Sequence, residues 1–354
     1  MTGNRRHSGP LKGRGATLSP AARYLAERRE SSCGPCPAAS GPVETTLTAE
    51  RCRSIISYNQ SPDVGFDRSI NPYRGCEHGC VYCFARPTHA WLDLSPGLDF
   101  ETRLFYKEDA PDRLREALGR PGYRCAPLAL GINTDAYQPV ERRLGLTRRL
   151  LEILVACGHP FSIVTKSALI ERDLDLLSAA AGRGQAAVAI SLSTLDTDLA
   201  RRLEPRAAAP RRRLETVRRL AEAGIPVSVL VAPLIPALCD HELERILEAA
   251  REAGARHADY VLLRLPHELK EMFRDWLKHH FPDRAGRVMN RIRDMRGGQD
   301  YDARFGLRMR GSGVFADLIA RRFRIACRRL DYGPAPALDC SAFVPPGRQQ
   351  LNLF

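Results

Sequence analysis

The chain has 354 residues, 44% hydrophobic and 27% charged, the proportions of a globular protein long enough for one large core or two domains. No apolar run is long enough to span a bilayer, and the basic start Met1-Thr2-Gly3-Asn4-Arg5-Arg6 has no apolar stretch behind it, so neither a membrane span nor a secretory signal is expected. The formal net charge of +13 permits a polyanionic partner such as nucleic acid. Lysine occurs only at Lys12, Lys107, Lys166, Lys270 and Lys278, which GC-rich coding explains, but that bias does not account for the excess of base over acid. The 11 cysteines are odd in number and scattered, which fits a reducing cytoplasm better than a disulfide framework.

Residues 1–50 are rich in Gly, Pro, Ser, Ala and Arg without a sustained apolar period, and read as a disordered or loosely attached basic segment. Cys33 and Cys36 form a C-x-x-C pair there, with no βαβ pattern around it to make a redox motif. From Ile70 to Leu265 β-type runs alternate with amphipathic helices. The strands are predicted at Ile70–Tyr73, Leu128–Ile132, Phe161–Thr165, Val188–Ser193, Val227–Ala232 and Asp259–Leu263. Helices are predicted at Arg142–Ala156, Ile170–Ala180, Asp196–Leu203, Leu214–Ala223 and Glu242–Ala253, the last two followed by Gly224 and Gly254 as C-cap signals. This alternation implies a parallel sheet with right-handed crossovers. Beyond Pro266 the pattern becomes an Arg-rich helical extension (266–332) with helices at Leu269–Phe281, Arg284–Met295 and Val314–Leu330, and then a Pro/Gly-rich tail (333–354).

Directly after the first strand lie Cys76, Cys80 and Cys83, spaced C-x3-C-x2-C. Three soft thiolates on one loop suit an iron–sulfur cluster. No fourth Cys lies nearby, and three protein ligands on a four-iron cube leave one iron open to an exchangeable ligand. The alternative is a zinc site completed by a distant Cys or by His78 within the motif.

The motif resembles that of the radical S-adenosylmethionine (SAM) superfamily, with Tyr82 where that family carries an aromatic beside the SAM adenine. The resemblance implies an α/β fold, a partial (β/α)6 TIM-like barrel over residues 66–265. It also implies a [4Fe–4S] cluster on Cys76, Cys80 and Cys83, and an electron donor such as flavodoxin or ferredoxin. SAM would be cleaved reductively to a 5′-deoxyadenosyl radical. Ala129-Leu130-Gly131-Ile132-Asn133-Thr134-Asp135, Val164-Thr165-Lys166, Ser191-Leu192-Ser193, Glu204-Pro205 and Val231-Ala232-Pro233 fall at successive strand ends in an order similar to spore photoproduct lyase and proteins labelled DNA-repair photolyases. Carried over by position, Lys166 and Ser193 look like SAM contacts, and Asn133 and Asp135 groups that orient the SAM amino group or ribose. Spore photoproduct lyase returns a hydrogen atom from a Cys near the strand-two end, where this chain has Ile132-Asn133-Thr134-Asp135. Cys239, after Val231-Ala232-Pro233, is the candidate substitute as catalytic donor, against its reading as a small apolar residue.

The leading expectation is a radical enzyme, a lyase or oxidoreductase, acting on nucleic acid in DNA repair. The alternatives are radical modification of a protein, tRNA or small molecule, or a binding protein whose cluster is structural or redox-sensing. Arg284, Arg287, Arg291, Arg293, Arg321, Arg322, Arg324, Arg328 and Arg329 in the extension are the expected source of nonspecific affinity for phosphates.

The last five residues, Gln350-Leu351-Asn352-Leu353-Phe354, resemble the bacterial sliding-clamp-binding pentapeptide Gln-Leu-Ser/Asp-Leu-Phe, offered on a linker containing Pro345-Pro346-Gly347. Deleting Gln350–Phe354 is expected to abolish binding to purified clamp in a pull-down while leaving SAM cleavage intact. Equal clamp binding by the truncated chain would dismiss this reading.

Overall fold

Alternation of buried and half-buried residues sets the sheet: Phe161, Ile163 and Thr165 on one strand, Val188 and Ile190 on the next, Val227, Val229 and Val231 on the third. The computed structural model describes residues 5–6, 10–24 and 43–347. Its main sheet has seven strands: β1 (Ile56–Tyr58), β2 (Arg68–Ile70), β3 (Leu128–Leu130), β4 (Phe161–Thr165), β5 (Ala186–Ser191), β6 (Val227–Leu234) and β7 (His257–Leu262), side by side in chain order. All five pairings from β2 to β7 are parallel, and β1 closes one edge antiparallel to β2. This is the open (β/α)6 barrel predicted, with one added edge strand.

The helices are α1 (Ala110–Leu118), α2 (Leu146–Ala156), α3 (Leu174–Ala181), α4 (Thr197–Leu203), α5 (Pro210–Glu222), α6 (Leu243–Glu252), α7 (Leu269–His280), α8 (Pro282–Asp294) and α9 (Val314–Arg329). Leu150, Leu151 and Leu154 of α2, Leu177 of α3, Leu220 of α5 and Leu247 of α6 pack with the strands in one core. The predicted first strand, Ile70–Tyr73, is in fact two. β2 stops at Ile70 because Pro72 has no N–H for the ladder, and Tyr73–Arg74 pairs instead in a small sheet with Arg103–Lys107, which also pairs Thr46–Glu50. The helix predicted from Arg142 is divided at Gly145, and the one predicted from Ile170 begins as a 3-10 turn, Ala168–Asp173.

Part of the segment read as disordered is packed. Within residues 10–24, Ala16 and Leu18 are buried in a second apolar cluster with Cys80, Val81 and Tyr82 of the cysteine loop and Leu269, Phe273, Trp276 and Leu277 of α7. Polar bonds lock it there: Thr17 Oγ1 donates to Asp275 at 2.9 Å, and Arg23 forks onto Glu268 with both bonds at 2.7 Å. These contacts are long-range and carry no local period, so composition concealed them. Cys33, Cys36 and the clamp-like residues Gln350–Phe354 lie outside the described residues. Among the described residues no helix is long and apolar enough to cross a membrane.

The cysteine loop is held by a buried ion pair. Arg86 is fully buried; its Nη2 lies 2.5 Å from Glu101 Oε1, and it donates to the carbonyls of Gly79, Cys80, Pro96 and Gly97 at 2.8–3.1 Å. Glu101 also accepts from the N–H groups of Gly15 (3.0 Å) and Ala16 (2.8 Å), so one carboxylate ties three segments together. Removing it leaves a buried guanidinium without a counter-charge. Glu101→Ala is expected to lower unfolding stability by about 3–5 kcal/mol, measured by urea denaturation under reducing conditions. A loss under about 1 kcal/mol would show that the pair does not hold the loop.

Candidate metal centre

The loop from Asn71 to Arg86 leaves the carboxyl end of β2, the end where parallel barrels gather their chemistry. After the short strand Tyr73–Arg74, residues 75–85 have no regular structure and are stapled by single bonds: Cys76 N–H to Phe100 O (2.9 Å), Val81 N–H to Leu203 O (3.0 Å) and Arg206 N–H to His78 O (3.2 Å). Gly79 has φ of +67°, and a Cβ there would sit 2.8 Å from the Glu101 carboxylate; a Cβ on Gly15 would sit 1.8 Å from Gly79 O. Glycine at both positions is therefore a packing requirement.

Cys76 and Cys80 are buried and Cys83 half-buried by exposed area. Burial raises all three thiols. For Cys76 the Asp135 carboxylate and the other two sulfurs add to it; for Cys80, pushed up to about 12, Glu204 adds and Lys166 opposes; for Cys83, Arg86 and Lys166 oppose. Sulfurs so placed become thiolates when a metal replaces the proton. Among the described residues no group of His, Cys, Asp and Glu side chains is spaced to hold a metal ion. Cys83 nonetheless packs against both the apolar cluster that contains Cys76 and the one that contains Cys80, and a multi-iron cluster takes one sulfur per iron, a looser arrangement than the shell of a single zinc ion. His78, the candidate zinc ligand, has Nδ1 3.3 Å from Asp135 Oδ2. The donor set fits the cluster.

Behind the thiols lies a buried polar network. The Tyr82 hydroxyl and Arg213 both donate to Glu204, and Ser193 Oγ lies 3.1 Å from the same carboxylate and 2.9 Å from Ala232 O. Burial pushes Glu204 up, but Arg213, Lys166 and the Tyr82 hydroxyl together bring it below the usual carboxylate range. Lys166 has its ammonium 5.9 Å from the Tyr82 ring centroid. Tyr82, Lys166 and Ser193 therefore converge beside Cys80.

Asp135 is bonded to four groups of the protein. Burial pushes its carboxyl up, yet His78, the Lys166 N–H (2.8 Å) and Thr165 Oγ1 (2.7 Å) hold it down at about 2, and it also accepts from the Tyr137 N–H at 2.9 Å. Its oxygens are engaged in fixing the ends of β3 and β4. Asn133 has an exposed side chain, and its backbone N–H donates to Asn71 Oδ1 at 2.9 Å. Cys239 is fully buried among Leu238, Leu263 and Leu265; its sulfur accepts from Ile235 N–H at 3.3 Å, and its thiol faces the carbonyls of Pro233 and Ile235. Arg86, Glu101 and Arg213 had no signal in the sequence, since each acts across a gap in the chain. Glu204 stood in a recognised motif without a role.

A family model described as the radical SAM superfamily matches residues 70–250. An uncharacterised protein of Mycobacterium tuberculosis is 37% identical over 311 residues, covering 86% of each chain. One of Methanocaldococcus jannaschii is 26% identical over 222 residues, covering 63% of this chain and 79% of its own. Among solved structures, a spore photoproduct lyase variant superposes with a TM-score of 0.57 at 16% identity, covering 81% of this chain and 80% of its own. Spore photoproduct lyase complexed with a dinucleoside spore photoproduct gives 0.56 at 16%, covering 80% and 79%. At that identity the likeness is one of fold.

The surroundings of Cys239 make a direct prediction. Burial pushes its thiol up to about 12, so at pH 8 it is protonated and shielded. Iodoacetamide is expected to leave Cys239 unmodified in the native protein and to alkylate it fully in urea, as read by peptide mass spectrometry. Rapid native labelling would show that Cys239 is accessible and overturn its enclosed placement.

Proposed function

The chain belongs to the radical SAM superfamily, whose cofactors are a [4Fe–4S] cluster and SAM, and we propose that it is a radical enzyme acting on nucleic acid in the reducing cytoplasm. Cys76, Cys80 and Cys83 hold the cluster in this reading. When bound, the cluster and SAM supply one-electron reductive cleavage of the sulfonium, with the electron drawn from a small donor such as flavodoxin or ferredoxin.

The chain's own residues do the rest. Arg86 and Glu101 fix the loop so that its thiols have one arrangement. The Glu204 anchor on the Tyr82 hydroxyl holds that ring in place for the adenine, and Arg213 keeps Glu204 charged so that the anchor persists. Lys166 supplies an ammonium beside Cys80 and Cys83 for the SAM carboxylate, and Ser193 orients the same molecule through its hydroxyl. Asp135 sets the β3 and β4 ends that frame the site. The apolar cluster of Val81, Leu199, Leu203 and α7 excludes water, which a carbon radical requires.

The observation that carries the enzyme reading is the C-x3-C-x2-C loop buried at the carboxyl ends of six parallel strands. Nucleic acid as substrate is supported by the charge of +13 and by exposed arginines in the extension. Arg284, Arg287, Arg321, Arg324 and Arg328 make no ion pair among the described residues, whereas Arg291, Arg293, Arg322 and Arg329 pair with Asp294, Asp300, Glu244 and Glu248. It is supported also by the likeness in fold to a protein solved with a dinucleoside photoproduct. Hydrogen return from a Cys at the β3 end is not part of the proposal, because no Cys lies there.

Anaerobically reconstituted protein with SAM and dithionite is expected to form 5′-deoxyadenosine. Changing any of Cys76, Cys80 or Cys83 to Ala should abolish that product and most of the bound iron. Deuterium passing between labelled DNA and 5′-deoxyadenosine would identify the substrate. Full iron content in the triple Ala variant would reject the cluster assignment, and exchange with protein or tRNA but not DNA would reject DNA as substrate.

A further inference from the structure

Two residues past the end of β7, Arg264 stands at the same end of the sheet as the cysteine loop. Its guanidinium carbon lies 4.7 Å from the ring centroid of Phe84, the residue that follows Cys83, and Phe84 is itself 36% exposed. Among the described residues Arg264 Nε is buried without a hydrogen-bond partner, and Nη1 reaches only the weak acceptor Met309 Sδ, at 3.8 Å. Arg264 makes no ion pair among the described residues. The acid that feels its field, Asp63, already accepts from Gly306 N–H at 2.6 Å and from Arg308.

The surroundings add positive charge. Burial chiefly disfavours the charge of Arg296, and Arg264 adds a smaller contribution of the same sign; Arg296 donates to the carbonyls of Leu263 (3.0 Å) and Leu307. Asp302 is forked by Arg304. Four guanidiniums thus share two carboxylates at this rim, and Arg264 is the one with a buried donor left over.

A buried, unbonded N–H of a charged group costs free energy until an acceptor arrives, and an anion is the acceptor that also offsets the charge. The guanidinium is planar, with its donors in the fork that matches a phosphate, and its place over the Phe84 ring restricts where that fork can point. We propose that Arg264, braced by Phe84, binds a phosphodiester of the nucleic-acid substrate beside the cluster loop. This rests on the nucleic-acid reading above. The SAM carboxylate is the other source of the same anionic chemistry, but Lys166, whose charge acts on both Cys80 and Cys83, is the cation assigned to it above.

The test titrates reconstituted holoprotein into a short fluorescein-labelled single-stranded deoxyoligonucleotide and reads anisotropy at several salt concentrations, with SAM affinity measured separately by calorimetry. Arg264→Gln is expected to weaken oligonucleotide binding about tenfold. The slope of log K against log salt should fall by about 0.7, with SAM affinity and iron content unchanged. Arg264→Lys keeps the charge but not the fork and should fall between; it carries the test if the Gln variant fails to fold. Equal oligonucleotide binding by wild type and variants overturns the proposal. Loss of SAM affinity with oligonucleotide binding intact overturns it too, and assigns Arg264 to the SAM carboxylate. If the wild type itself does not bind the oligonucleotide, the nucleic-acid reading fails and this assignment falls with it.

Discussion

A single fully buried ion pair, Arg86 with Glu101, is the constraint on which the rest of the site depends. The loop carrying the three thiols is neither helix nor strand, so no repeating ladder holds it. Arg86 substitutes for one by donating to four carbonyls, two of them inside the motif at Gly79 and Cys80. Glu101 neutralises Arg86 and at the same time caps Gly15 and Ala16. Desolvating two charges makes such a pair a weak source of net stability, but it penalises every arrangement in which either partner is left alone. Its effect is to select one loop geometry.

The same logic recurs one layer deeper. Glu204 is compensated by Arg213 and anchors Tyr82, and Asp135 is compensated by four donors from the β3 and β4 ends and from His78. Each buried carboxylate joins residues distant in sequence, so the strand ends are cross-linked to the cysteine loop. The helical extension completes the enclosure. Phe273, Trp276 and Leu277 of α7 and Val288 and Ile292 of α8 share a cluster with Cys80 and Tyr82, which makes the extension part of the wall of the site.

This arrangement separates two kinds of arginine. Arg86 and Arg213 are internal and paired, and they organise the cysteine loop and Tyr82. Arg284 and Arg287 of α8 and Arg321, Arg324 and Arg328 of α9, together with Arg264 at the rim, carry charge without a paired carboxylate among the described residues. Net charge alone does not distinguish these classes, because the difference lies in whether a carboxylate from another segment reaches the guanidinium.

The strand and helix pattern of the barrel was legible in sequence because burial on alternate strand residues and on one helix face leaves a period in the chain. Phe161–Thr165 was predicted to the residue, and α7, α8 and α9 to within two. The C-x3-C-x2-C motif was legible because its spacing is local. Only the tertiary structure decided that residues 10–24 pack against the cysteine loop, that Asp135 is engaged in holding the strand ends, and that Cys239 is enclosed. Those outcomes depend on hydrogen bonds and contacts between segments tens to hundreds of residues apart, such as Thr17 with Asp275 and Tyr82 with Glu204. A pairing of that kind leaves no period and no spacing, so it exists only once the chain has folded.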